Sequence, residues 1–147
     1  MIEIIRQVIE AVIENGYICN YIIGSREQIS RDDAITFRFE MPRYRESKPD
    51  GSREYTLRYV VALPSDQESN DVQQMAAQLI HCDKINSLFM EKLQQWTNDN
   101  NQQLIQIPDK IDIREFADLE ILGHPATGLL VEMRYNLLLP VECLWKV

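Results

Sequence analysis

Residues 123–142, GHPATGLLVEMRYNLLLPVE, decide how this chain folds. HPATG reads as a turn. After it Leu129, Val131, Met133, Tyr135, Leu137 and Leu139 fall on one face of a strand, with Glu132, Arg134 and Asn136 on the other, until Pro140 stops the ladder. The alternation is imperfect, because Leu130 and Leu138 sit on the polar face. An apolar outer position is explained either by a covering segment of the same chain, such as the tail ECLWKV, or by a neighbouring subunit. Both explanations stay open at the level of sequence.

Two further alternating runs supply the strands this one needs. Ile35, Phe37, Phe39 and Met41 share a face opposite Thr36, Arg38 and Glu40, and Pro42 ends the run. Tyr55, Leu57, Tyr59, Val61 and Leu63 then repeat the pattern up to Pro64. The pair reads as an antiparallel hairpin whose connection, RYRESKPDGSRE near 43–54, is a long loop compared with the usual two to five residues. Residues 17–24, YICNYIIG, have the β-branched and aromatic content of a strand or an extended entry to the sheet.

Helical spacing appears twice. Ile2, Ile5, Val8, Ile9, Val12 and Ile13 form one stripe, stopped by Asn15-Gly16. A longer stripe, Val72, Met75, Ala76, Leu79, Cys82, Ile85, Phe89, Leu93 and Trp96, follows a capping-box pair at Asn70 and Gln73 and ends in TNDNNQQ. QLIQIP reads as a short extended piece, and IDIREFADLEIL leads into the turn. The expectation is a single α+β domain over 1–147, an antiparallel sheet with two main helices packed on one face. Its core should take Ile5, Val8, Ile9 and Val12 from the first helix, Phe37, Phe39, Leu57, Tyr59 and Val61 from the hairpin, and Leu79, Phe89 and Leu93 from the second helix.

Composition narrows function by exclusion. The formal charge is −8, from 23 acidic and 15 basic side chains, which opposes general binding to a phosphate backbone. No apolar run reaches the roughly 20 residues of a bilayer span, and MIEIIRQVIEAVIENG lacks the basic start and continuous apolar run of a secretory signal. Cys19, Cys82 and Cys143 are far apart without metal-ligand spacing, and read as reduced and buried. His81 and His124 lack ligand-spaced partners, and read as a helix-flank and a turn histidine. The pairs Asp32-Asp33 and Asp118/Glu120 read as solvated or capping carboxylates, and the repeat of GSRE at 24–27 and 51–54 is too short to mark duplication. No catalytic, cofactor or metal site is therefore assigned.

The succession of an amphipathic first helix, the ITFRFEMP and YTLRYVVALPS strands, a long helix from NDVQQMAAQLI and the strand ATGLLVEMRYNLLLP resembles small tail proteins of long-tailed bacteriophages. It is most similar to the tail-terminator and tail-completion group found in prophages, in which a Thr-Gly-hydrophobic turn, here Thr127-Gly128-Leu129, opens the last strand. The resemblance implies a non-enzymatic ring, usually of six subunits, that caps the tail tube, stops its polymerisation and faces the head connector. Its partners would be itself, the tube and the connector, with no sequence-specific nucleic acid, membrane or cofactor. Its place would be the host cytoplasm during assembly and then the virion tail. On this reading the subunit interface combines Leu130 and Leu138 with Arg43, Arg45, Lys48 and Arg53 of the hairpin loop. The alternative from a different class is a small α+β ligand- or protein-binding module of regulatory or immunity type.

Overall fold

A computed structural model describes residues 1–16, 19–24, 35–46, 52–65, 72–100, 104–106, 111–120 and 124–137. Its elements are α1 (Ile2–Glu14), β1 (Cys19–Ile23), β2 (Ile35–Phe39), β3 (Arg43–Glu46), β4 (Arg53–Pro64), α2 (Val72–Asp99), β5 (Leu104–Gln106), β6 (Asp112–Glu120) and β7 (Pro125–Leu137). One sheet runs in the order β1-β2-β4-β7, with β3 continuing along β4 and β5 and β6 sharing the far edge of β7. The fold is α+β, and the side chains of both helices join the core on the same side of the sheet.

The long strands β4 and β7 form the centre, paired antiparallel from Arg53↔Leu137 to Pro64↔Ala126. Alternation decides their facing. Leu57, Tyr59, Val61, Leu129, Val131 and Met133 are buried beneath the helices. Ile5, Val8, Ile9 and Val12 of α1 and Cys82, Ile85, Phe89 and Leu93 of α2 close the same cluster from above. At its middle Phe37, Phe39, Tyr59 and Phe89 pack with ring centroids 5.0–6.0 Å apart, the separation at which tilted aromatic pairs attract. The Tyr59 hydroxyl, buried in this cluster, donates a hydrogen bond to Asn86 Oδ1. Gly16 takes φ +90° just after α1, where a left-handed residue ends the helix, as its Asn-Gly stop implied.

Four features differ from the sequence expectation. The sheet is not wholly antiparallel, because β1 runs parallel to β2, from Cys19↔Ile35 to Ile23↔Phe39. The stretch between them, 24–34, is far longer than a hairpin turn and close to the dozen residues a parallel crossover needs. The Thr127-Gly128 pair is not a turn. Strand β7 already begins at Pro125, and Gly128 lies opposite Ala62 inside the ladder.

The third difference concerns the loop expected over 43–54. Arg43–Glu46 is strand, paired with β4 from Arg43↔Thr56 to Glu46↔Arg53, so the connection shrinks to 47–52. Between Phe39↔Tyr59 and Arg43↔Thr56 the chain advances four residues on one side and three on the other. That extra residue is a bulge at Glu40-Met41-Pro42, where a proline without an N–H fits. It also explains why Met41, expected inside with Phe39, is 54% exposed.

The fourth difference lies in α2. Its buried members begin at Cys82, while Leu79 is only half-buried, Ala76 is exposed and Val72 is 72% exposed. A helix of 28 residues spans about 42 Å, so its first turns reach past the cluster that its later turns cover. No helix among the described residues is long and apolar enough to cross a membrane.

Candidate docking face

Burying the odd positions of β4 and β7 leaves their even positions on the opposite face, which no helix covers among the described residues. That face has two parts. At one end Val60, Ala62 and Ala126 are buried under the half-buried side chains of Phe116 and Leu130. Toward the other end the same rows become charged: Arg58 and Glu54 on β4, Glu132 and Arg134 on β7, Arg38 on β2 with Glu40 just beyond it, Asp112 and Arg114 on β6.

The bulge brings β3 into this arrangement. On β2 the odd residues Phe37 and Phe39 face the helices, so unbroken alternation would send Arg43 and Arg45 the same way. One extra residue reverses the parity. Arg43 and Arg45 therefore stand on the open face, and Tyr44 lies on the helix side, half exposed, with its ring 5.3 Å from that of Tyr55.

Ion pairs hold part of the lattice in position. Arg58 lies between Glu132, at 3.7 Å, and Glu40, at 4.0 Å. Arg134 reaches Glu54 at 3.7 Å and Arg114 reaches Asp112 at 3.2 Å. All of these side chains are at least one-third exposed, so each pair contributes at most about 1 kcal/mol to stability. Arg43 and Arg45 make no ion pair within the described residues, since Glu54, opposite Arg45, turns to Arg134 instead.

Two shallow grooves cross the face and share Glu40, Met41, Arg43 and Arg58. One, of about 380 Å³, continues to Arg45, Glu54 and Arg134. The other, of about 520 Å³, continues to Arg38, Val60 and Leu130. Of the interface residues expected from sequence, Leu130, Arg43 and Arg45 thus meet on one surface. Arg53 does not join them. It lies on the helix-bearing side, with its guanidinium 4.5 Å from the centroid of the Tyr44 ring and its charge helping to lower the pKa of the half-buried Met1 ammonium, an effect second to burial. Lys48 and Leu138 lie outside the described residues.

Arg38, Arg58, Glu132 and Arg134 are not among the interface residues expected from sequence. Their signal was present, as outward positions on neighbouring strands, but pairing register was needed to show that they adjoin. Arginine beside apolar side chains is a composition enriched at protein-binding surfaces. The Cys82 thiol, whose Sγ lies 3.9 Å from the Thr127 carbonyl oxygen, is pushed up to about 12 by burial, which keeps it protonated and poorly nucleophilic. Burial raises Tyr59 and Tyr135 in the same way. Among the described residues no group of three or more His, Cys, Asp or Glu side chains is placed to hold a metal ion. Comparison with protein-family models and with curated proteins finds no match for the chain.

Proposed function

We propose that this protein is a structural subunit of a phage tail, of the terminator or completion type, acting at the end of the tail tube through contacts rather than catalysis. The observation that carries the reading is the open sheet face, where the patch around Leu130 runs into the arginine-glutamate lattice around Arg58. An apolar end that runs into arginine and mixed charge suits a surface that is covered in an assembly. The resemblance of the element order to tail-terminator proteins supplies the kind of assembly: a ring of copies on the tube, meeting the head connector. Its route runs from the host cytoplasm to the virion tail.

The test is genetic. Removing the gene from the phage genome that carries it should give tails of irregular length that fail to join heads, and the wild-type gene should restore them. A Leu130→Glu gene should not, because a carboxylate against Val60, Ala62 and Ala126 resists desolvation by a partner. Tails of normal length after deletion would end the proposal.

A further inference from the structure

Among the described residues the two broad surfaces carry opposite charge balances. On the open sheet face the described strands and the bulge present six arginines, at 38, 43, 45, 58, 114 and 134, against the four carboxylates of Glu40, Glu54, Glu132 and Asp112. The helix layer has the reverse. Glu3, Glu10 and Glu14 on α1 and Asp83, Glu91 and Asp99 on α2 reach its surface. They are opposed there by Arg6, Lys84 and Lys92. Each surface also has apolar side chains in reach, Leu130 and Phe116 on one and the exposed Ile2, Ile13, Val72 and Ile80 on the other.

We infer that the occupant of the open sheet face is the helix layer of a second copy of this chain, held by the acidic helix surface against Arg43 and Arg45. The inference rests on the assembly role proposed above and names the partner of that face. Sheet against sheet would set one arginine excess on another, and helix against helix would oppose two acidic excesses. Only helix on sheet brings opposite signs together, and like-charge juxtaposition is what excludes the other two. Such a contact joins two different patches, so it is heterologous: it continues from copy to copy and forms a ring when the rotation closes.

Arg43 and Arg45 are the natural anchors, because they make no ion pair within the described residues and stand two positions apart on an extended strand, about 7 Å. Carboxylates four apart on a helix, such as Glu10 and Glu14, rise about 6 Å along its axis, a comparable spacing. A nucleic-acid strand is a poorer occupant, since Glu40, Glu54 and Glu132 line the same grooves and repel a phosphate chain that is charged at every step.

Charge-swap mixing tests the contact. Self-association of the full chain is followed by sedimentation across salt concentrations, with circular dichroism verifying that each variant is folded. The double variant Arg43→Glu/Arg45→Glu and the helix variant Glu10→Lys/Glu14→Lys/Asp83→Lys/Glu91→Lys should each weaken self-association at least about tenfold, and an equimolar mixture of the two should recover it. Neutral Arg43→Gln/Arg45→Gln should give a smaller loss, and added salt should weaken the wild type by screening. A wild-type chain that stays monomeric at hundreds of micromolar, variants that associate like the wild type, or a mixture that fails to recover would each overturn the contact. The role is read separately. Ordinary tails from a phage whose sheet-face variant no longer associates would remove the tail function and leave the contact standing, whereas defective tails beside an absent contact would do the opposite.

Discussion

Gly128 and Ala62 face each other across the β4–β7 ladder with no room for a side chain between them. A Cβ on Gly128 would lie 2.6 Å from the Ala62 Cα and 2.8 Å from its Cβ, and would strike the Val61 carbonyl oxygen. The glycine is there for the close approach of two strands. Gly128→Ala should therefore destabilise the fold by about 1–3 kcal/mol through overpacking, seen as a lower urea midpoint at unchanged slope. A midpoint equal to wild type would mean that the strands separate at little cost.

Truncation at Phe39 and Leu79, both expected in the core from sequence, should give unequal results. Phe39 is 1% exposed within the aromatic cluster, and Phe39→Ala should cost about 3–5 kcal/mol. Leu79 only packs along the edge of that core, so Leu79→Ala should cost clearly less. Equal losses in chemical denaturation would place the start of α2 deeper than its exposure implies.

Alkaline pH should unfold the protein earlier than a chain without buried thiol and phenol groups. Burial raises Cys82 from 9.0 to about 12 and also raises Tyr59 and Tyr135, so over that range the unfolded chain loses protons that the folded chain retains. Stability is complete below pH 9 and falls as pH rises toward 12. Cys82→Ala should remove part of that fall. Denaturation midpoints measured from pH 8 to 11 check this, and a flat profile in the wild type would contradict it.

Much of the fold was legible because burial here follows simple periods. Tyr55, Leu57, Tyr59 and Val61 of β4, Leu129, Val131, Met133, Tyr135 and Leu137 of β7, and Ile5, Val8, Ile9 and Val12 of α1 are buried as their spacing implied, while Ile2 and Ile13 at the ends of the α1 stripe are exposed. What spacing did not reveal was register. The bulge at Glu40-Met41-Pro42 adds one residue, and a pattern read within one strand is blind to a slip against its neighbour. That slip turned an apparent loop into β3 and placed Arg43 and Arg45 beside Arg58. The parallel pairing of β1 and the strand character of Asp112–Glu120 were hidden for a related reason: edge strands with exposed Ile113 and Leu119 lack a clean two-residue period. Leu130 was legible as an anomaly, but its companions Val60, Ala62 and Ala126 belong to the outer face only once β4 and β7 are paired.

The bulge itself offers a test that changes no charge. Deleting Met41 removes the extra residue, so Phe39, Glu40, Pro42 and Arg43 alternate without a break and Arg43 stays opposite Thr56 on the open face. The deletion should therefore leave both the fold and the wild-type self-association in place, by circular dichroism and sedimentation. A folded variant that no longer associates would show that the bulge itself, and not the facing of those two arginines, shapes the surface.

The proposed tail role is tested most directly by locating the protein on finished particles. Antibody-gold labelling of purified phage, with the chain quantified against tube protein, should place it at the head-proximal end of the tail tube in a small fixed number, about six for a closed ring. Label scattered along the tube, or purified infectious particles that lack the chain, would contradict the account.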